Sequence, residues 1–281
     1  MTRQERISMD ERRERVLSSI MQDPQEKPGD GSPVYEKIKW LNAHDLTMQK
    51  VMCANKIYAK EYAKLVAGDE IGVAKTIQVF DTLDELDLKQ CPDSFFIKRS
   101  SGCAKNILVS KNNVDYKKIA KTIESWDNDT ICGLGSKEYQ YSLSIPRCFA
   151  EENLLRNGET SLIDYRHWCF NGKCAFIAIN SGRGHGSQVF YSTKFEKMDM
   201  FNTTHMATND IEFKKPENFE KTVRIAEKLS SAFKFVRVDL YNIDGKAVLG
   251  EVTFSPGGYC TRFVDSSGRS MDSEIGKMLA L

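Results

Sequence analysis

Apolar positions along the chain change period several times, and each change marks an element. Ser8-Met9-Asp10-Glu11 is a capping box, and Val16, Leu17, Ile20 and Met21 follow at helical spacing, so a helix is predicted over Met9–Met21. Pro24, Pro28, Gly29, Gly31 and Pro33 crowd the stretch Asp23–Pro33, which reads as a linker. Residues 1–33 are thus expected to be a helix and linker appended to a main body at 34–281. Ile38 and Leu41 predict a helix over Tyr35–Leu41. A longer helix is predicted over Thr47–Val66, with Val51, Ala54, Ile57, Tyr58, Tyr62 and Leu65 as its apolar stripe and Gly68 as its stop. Val114–Trp126 and Pro216–Phe233 show the same period. Between these lie β-branched and aromatic runs at Thr76–Phe80, Ser94–Lys98 and Asn106–Ser110. From Cys148 onward strands dominate. Ile163–Phe170 and Cys174–Asn180 flank Asn171-Gly172, a hairpin turn signal. Phe235–Tyr241 and Lys246–Phe254 form a second hairpin. Helices and strands alternate without a βαβ rhythm, which predicts an α+β fold with mostly antiparallel sheets.

Composition narrows the function. The 281 residues carry 40 Lys+Arg against 39 Asp+Glu, a net charge of +1. That balance argues against a nucleic-acid partner or an anionic membrane surface. No apolar run approaches the ~20 residues of a membrane span. The charged start, Met1-Thr2-Arg3-Gln4-Glu5-Arg6, has no apolar core of a secretory signal. The eight cysteines form no C-x-x-C pair and are expected to be reduced thiols in a cytoplasmic protein.

The second hairpin carries the chemistry. Arg237 and Asp239 share one strand face, while Val236, Val238 and Leu240 share the other. A three-residue loop, Ile243-Asp244-Gly245, would pair Asn242 with Lys246 and set Arg237 opposite Glu251, with Asp239 beside them. Two carboxylates and a guanidinium make either a structural ion pair or a Mg²⁺ site, since Mg²⁺ takes one or two carboxylates plus phosphate oxygens. Lys98 ends a strand and leads into Ser100-Ser101-Gly102-Cys103-Ala104, either a solvated turn or a small-residue loop that admits phosphate. Glu151 and Glu152 end a strand, where they would hold a ribose or face water. Asp164 and Arg166 share a strand face. Arg183 sits between Gly182 and Gly184, with His185 next. His44, His167 and His205 have no metal-ligand spacing. Gly133-Leu134-Gly135-Ser136 lacks the strand-then-helix setting of a dinucleotide motif. There is no Gly-x-Ser-x-Gly elbow.

Phe95-Phe96-Ile97-Lys98, Ala150-Glu151-Glu152, Asp164-Tyr165-Arg166, Cys169 to Lys173, Phe235 to Tyr241 and Gly250 to Phe254 occur in an order that resembles the TupA-like family of the ATP-grasp superfamily, from Tyr35 to Gly276. The resemblance implies an ATP-grasp fold, with subdomains at about 76–150 and 151–281 clamping ATP. It implies Lys98 on the α/β phosphates under a loop of Ser100, Ser101 and Gly102. It sets Glu151 and Glu152 by the adenine–ribose pocket with Asp164 in the nucleotide site. Asp239 and Glu251 would hold Mg²⁺, with Thr253 where many ATP-grasp ligases place Asn. Arg237, Arg166 and Arg183 would stabilise phosphate or acyl phosphate, and Arg262 and His185 would meet substrate. Ser101-Gly102-Cys103-Ala104 replaces a His-Gly-Ser-Gly-like loop, and Arg166 stands where Lys is frequent. The implied activity is a carboxylate–amine ligase acting on a sugar acid or glycan carboxylate and an amine in surface-polysaccharide biosynthesis. A kinase using the same nucleotide site, or a module that binds ATP without turnover, are the competing readings.

Overall fold

The computed structural model describes residues 8–126, 131–156, 158–182, 187–203 and 211–281. In chain order its helices are α1 (Met9–Ile20), α2 (Val34–His44), α3 (Met48–Ala54), α4 (Lys56–Ala67), α5 (Tyr116–Trp126), α6 (Tyr139–Ser142), α7 (Phe219–Ser230) and α8 (Asp272–Gly276). The strands are β1 (Gly72–Val73), β2 (Thr76–Phe80), β3 (Ser94–Arg99), β4 (Asn106–Ser110), β5 (Cys148–Glu152), β6 (Asp164–Phe170), β7 (Lys173–Ser181), β8 (Ser187–Ser192), β9 (Phe201–Asn202), β10 (Phe235–Ile243), β11 (Lys246–Thr253) and β12 (Phe263–Val264). Residues 1–23, 46–58 and 74–154 form one unit, and residues 24–45, 59–73 and 155–281 a second.

The first unit is built on an antiparallel sheet of order β2-β5-β3-β4. Alternation along β3 sends Phe95 and Ile97 to one face and Phe96 and Lys98 to the other. On the first face Phe95, Ile97, Phe80, Val109 and Ala150 pack with Ile119 and Trp126 of α5. Helix α1 begins as its sequence directs, with Ser8 Oγ accepting from the Glu11 amide at 3.1 Å. Just past its end, Asp23 accepts from the Tyr139 hydroxyl at 2.6 Å and pairs with Lys137.

The single helix predicted over Thr47–Val66 is two helices. Asn55 between α3 and α4 is extended (φ −84°, ψ 120°). Its side chain explains the break. Nδ2 donates to Ser144 Oγ at 3.1 Å, and Oδ1 accepts from the Ile57 amide at 3.0 Å, a side-chain alternative to the helical ladder. The break resets the helical phase, so the predicted stripe does not persist. Leu65 is 85% exposed, and Ala59, Ala63 and Ala67 are the buried residues of α4.

The second unit carries a sheet of order β1-β11-β10-β6-β7-β8, parallel only at β1–β11. The β6–β7 hairpin turns on Asn171 and Gly172, both at positive φ (49° and 77°), as the dipeptide predicts. One sheet face lies under α7, where His167, Val236 and Val238 are fully buried. On the other face Trp168, Phe176, Phe190 and Phe235 pack with Tyr35 and Ile38 of α2, Phe263 of β12 and Ile275 of α8. Trp168 lies edge-on to Phe263 at 5.2 Å between ring centroids and stacks on Phe176 at 5.5 Å. Such pairs add to burial. The short strands β9 and β12 pair with each other, and neither is legible as a strand in the sequence. Helix α7 is shorter than the predicted Pro216–Phe233.

The register of the β10–β11 hairpin differs from the expected one. Ile243 pairs with Lys246, so the loop has two residues, Asp244 and Gly245, at φ 52° and 73°. A regular ladder from that loop would set Asp239 against Gly250. A bulge between Leu240 and Asp239 shifts the pairing, and Asp239 faces Glu251 while Arg237 faces Thr253. Gly250 fits there because a Cβ would lie 3.1 Å from the Asp239 carbonyl and from the Tyr241 ring.

Candidate functional site

Two groups of polar side chains stand out, one on each sheet. In the first unit Lys98 and Glu151 project from β3 and β5 on the face opposite α5. Their side chains form an ion pair, with that of Glu151 6% exposed and that of Lys98 27%. The Lys98 ammonium also lies 5.4 Å from the Phe96 ring centre, and Phe96 is the β3 partner of Glu151. Two side chains, Glu151 and Phe96, thus hold one ammonium at the sheet surface. Glu152 points elsewhere in its bonding: its Oε1 accepts from the Lys75 amide at 2.6 Å.

The loop after Lys98 is held from within. Ser100 Oγ accepts from the Arg147 amide at 3.0 Å, and Ser101 Oγ bonds Ser144 Oγ at 3.0 Å. Both serines are fully buried. Lys56 Nζ donates to the Gly102 carbonyl at 2.5 Å, and Gly102 has φ 85°, which suits glycine. The serine hydroxyls fix the loop's shape, and the Ser100 amide donates to the Arg147 carbonyl at 2.9 Å.

In the second unit three neighbouring strands set one row of charges. Asp239 of β10 faces Arg166 of β6 on one side and Glu251 of β11 on the other. Arg237 donates to both Asp239 oxygens, from Nε at 2.7 Å and Nη2 at 2.6 Å. Arg166 Nε donates to Asp164 Oδ2 at 2.7 Å and lies 3.8 Å from Asp239 Oδ2. Thr253 Oγ1 is 3.5 Å from Arg237 Nη2. This row completes the polar half of the face whose apolar half lies under α2.

Burial decides the electrostatics. Desolvation pushes the Asp239 carboxyl up to about 7, and the charge of Asp164 adds to the rise while Arg237 opposes it. For Arg237, desolvation opposes the charged form, yet Asp239 and then Glu251 outweigh it and hold the guanidinium charged. On the opposite face His167 is driven down to about 4 by burial, against hydrogen bonds to the Val238 and Tyr165 carbonyls. Those carbonyls face Nδ1, so Nδ1 carries the proton, while Nε2 lies 3.1 Å from Thr222 Oγ1, whose hydroxyl donates to the Phe219 carbonyl at 2.7 Å.

Asp239 and Glu251 offer hard carboxylate oxygens side by side, the donor set Mg²⁺ prefers. Among the described residues no group of three or more His, Cys, Asp or Glu converges. A cation here would draw its remaining ligands from phosphate and water, as Mg²⁺ commonly does.

Next to this row lies a pocket of about 80 Å³ in the second unit. Its floor is Arg166, Trp168, Arg237, Gln188 and Phe190 from the sheet. Tyr35 of α2, Asn202 of β9, and Pro256, Gly257 and Thr261 complete it. A Cβ on Gly257 (φ 63°) would lie 2.3 Å from Thr261 Oγ1, so the turn requires glycine. Sequence reading missed Tyr35, Trp168, Gln188, Asn202 and Thr261, because they come from separate segments and share no motif.

Of the remaining predicted residues, Arg262 stacks on the Tyr35 ring at 5.5 Å and donates to the Tyr259 and Thr261 carbonyls, each at 2.8 Å. Its guanidinium binds the protein's own backbone. Arg183 and His185 lie outside the described residues. All eight cysteines are free thiols. No helix among the described residues is long and apolar enough to cross a membrane.

A family model described as TupA-like ATPgrasp matches residues 36–280. No curated protein matches the chain. Among solved structures, D-alanine–D-alanine ligase from Bacillus anthracis with ATP is 13% identical at a TM-score of 0.46, over 82% of this chain and 65% of that one. The same ligase from Helicobacter pylori is 14% identical at a TM-score of 0.45, over 90% and 68%. The ATP-grasp ligase PsnB, complexed with a phosphomimetic variant of its minimal precursor, Mg and ADP, is 11% identical at a TM-score of 0.44, over 82% and 59%. The chain therefore spans less than two thirds of the B. anthracis ligase and of PsnB.

Proposed function

We propose that this chain, which belongs to the TupA-like ATP-grasp family, is an ATP-dependent ligase that joins a carboxylate to an amine through an acyl phosphate. The observation that carries the reading is the row Arg166–Asp239–Glu251, with Arg237 held on Asp239, at the edge of a pocket. One side of that row is suited to Mg²⁺ and phosphate, and the other to an acid.

Lys98 supplies a positive charge to the nucleotide phosphates, under the loop at Ser100, Ser101 and Gly102. Glu151 keeps Lys98 in one orientation and, with Glu152, borders the ribose. Asp239 and Glu251 hold Mg²⁺, whose charge offsets that of the phosphate chain. A substrate carboxylate oxygen attacks the γ-phosphorus, the bond to the β-phosphate oxygen breaks, and ADP leaves. An amine then attacks the acyl carbon, phosphate departs and the amine loses a proton. Neither step needs a protein nucleophile. The chain contributes position and charge. Arg237 and Arg166 face the transferring phosphoryl group, and Arg183 is proposed to join them. Family context supports a sugar acid or glycan carboxylate as the acid, in cytoplasmic steps of surface-polysaccharide biosynthesis, with Arg262 and His185 as further substrate contacts.

Thermal unfolding with ATP or ADP, with and without Mg²⁺, tests the nucleotide site. A ligand at about 100 times its dissociation constant adds roughly 2.7 kcal/mol, so a Mg²⁺-dependent rise in midpoint is expected. Hydroxylamine with ATP and candidate acids tests the chemistry. Acid-dependent hydroxamate and ADP are expected of a ligase. A phosphorylated product without hydroxamate would point to a kinase, and nucleotide binding without turnover to a binding module.

A further inference from the structure

The loop after Lys98 ends in a cysteine that the ligase reading does not use. Five of the eight cysteines are buried, Cys103 and Cys260 are exposed, and Cys132 is half-buried. Cys103 and Cys132 meet at this loop. A Cβ on Gly102 would lie 3.1 Å from Cys132 Sγ. The Cys103 Cα, one residue on, is therefore within about 9 Å of that sulfur. Cys169 and Cys174 also face each other, across β6–β7, but both are buried under the second unit's sheet and helix.

The loop is pinned on one side and open on the other. Ser100 and Ser101 are fully buried and hydrogen-bonded, whereas Cys103 and Ala104 are exposed. Cys103 stands between two residues at positive φ, Gly102 at 85° and Ala104 at 57°. Alanine disfavours that region, so a second conformation of the open side lies close in energy. Reactive thiols occur in partly exposed, electropositive surroundings. Two ammonium-bearing side chains bear on this turn. Lys56 Nζ donates to the Gly102 carbonyl, and Lys105 Cε lies 3.6 Å from the Gly102 Cβ position.

We propose that Cys103 and Cys132 are a peroxide-sensitive thiol pair whose disulfide reshapes the loop after Lys98 and lowers nucleotide binding. The effect on nucleotide rests on the ligase reading above; the pair and its chemistry do not. The Cys103 thiolate attacks a hydroperoxide oxygen, the O–O bond breaks, and the alkoxide leaves and takes a proton. Cys132 sulfur then attacks the Cys103 sulfenic acid, and the S–O bond breaks with loss of water. Two thiols give up two electrons and two protons, and one hydroperoxide becomes an alcohol and water. A disulfide holds its two Cα atoms about 4.4–6.8 Å apart. Gly102 lies between the two cysteines, so joining them turns Gly102 aside and draws the open half of the loop with it. A thiol reductant reverses the change.

The test treats the reduced full chain with one equivalent of hydrogen peroxide. Mass mapping without reduction is expected to show the Cys103 and Cys132 peptides linked. The Mg²⁺–ATP thermal shift is expected to fall at least by half and to return with dithiothreitol. Cys132→Ser is expected to form no link and to keep its shift after peroxide. If that variant does not fold, Cys132→Ala is read in its place. Absence of the link, or a link between Cys169 and Cys174 instead, overturns the proposal. So does an undiminished shift in the linked protein, or an equal loss of shift in the variant. All of these leave the ligase reading standing. A reduced chain with no nucleotide shift counts against the ligase reading instead. The thiol pair is then judged on the linked peptides, whose presence supports it and whose absence overturns it.

Discussion

Arg237 and Asp239 stand two residues apart on one strand, and the guanidinium of the first covers both carboxylate oxygens of the second at 2.6 and 2.7 Å. The pair has the chemistry of a metal site already neutralised by a side chain. Arg237 also lines the pocket beside the charge row. A single guanidinium therefore connects the carboxylate proposed to hold Mg²⁺ with the place proposed for the substrate.

Removing either carboxylate should stop turnover, with different effects on stability. Asp239→Asn leaves the buried Arg237 without its partner, and breaking a buried pair costs about 3–5 kcal/mol. Glu251→Gln leaves that pair intact. Both variants are expected to lose Mg²⁺-dependent ADP release. Denaturant unfolding should show a large loss for the first and a change under about 1 kcal/mol for the second. Undiminished ADP release in both would remove them from the metal site.

Metal binding should follow pH. Burial raises the Asp239 carboxyl to about 7, so below that pH it is protonated and a poor ligand. The sign is that of a raised carboxyl: its protonated form suits the folded protein, and stability drains as pH climbs through 7. Mg²⁺ restores it by binding the ionised form. The Mg²⁺-dependent thermal shift with ATP is expected to grow from pH 6 to pH 8, and a shift constant over that range would contradict it.

His167 gives acid sensitivity of the opposite sign. Its folded value of about 4 lies below the ordinary 6.5. The unfolded chain therefore takes up a proton that the native fold refuses. Stability is full above about 6.5 and falls as pH drops toward 4, by roughly 3 kcal/mol in all. Asp239 acts in the opposite direction over the same range, so the histidine contribution is read as a difference. Between pH 7 and 4.5 the urea midpoint of the wild-type chain should fall relative to that of His167→Gln. Parallel profiles would assign the change to other groups.

Gly276 closes the C-terminal segment onto the linker before α2. A Cβ there would lie 2.1 Å from the Ser32 carbonyl oxygen. Nearby, the buried Lys37 donates to the carbonyls of Gly276 and Leu279, each at 2.9 Å. Gly276→Ala forces this backbone apart and should lower stability by about 1–3 kcal/mol, the usual cost of overpacking. A melting midpoint within a degree of wild type would show that the segment gives way freely.

Local signals were legible wherever the chain needed only its neighbours. The capping box at Ser8, the Asn171-Gly172 turn and the alternation that sends Lys98 away from Phe95 and Ile97 all act within a few residues. Long-range bonding was not legible. Asn55 looks like an interior helix residue until Ser144, far along the chain, accepts its amide. Asp239 and Arg237 could be put on one face from sequence, but their cross-strand partners depended on loop length and on a bulge that alternation does not announce. The pocket was invisible because its walls come from six segments that share no motif.

That bulge beside Gly250 makes the carboxylate pair a matter of counting. Inserting one residue between Lys246 and Glu251 would preserve every acidic residue in the sequence. It would also turn Glu251 toward α7 and Val252 toward the charge row. Among relatives of this chain, the spacing between Asp239 and Glu251 is therefore as diagnostic as their identity. An aligned acid at the wrong interval marks a chain that has kept the letters of the site and lost its geometry.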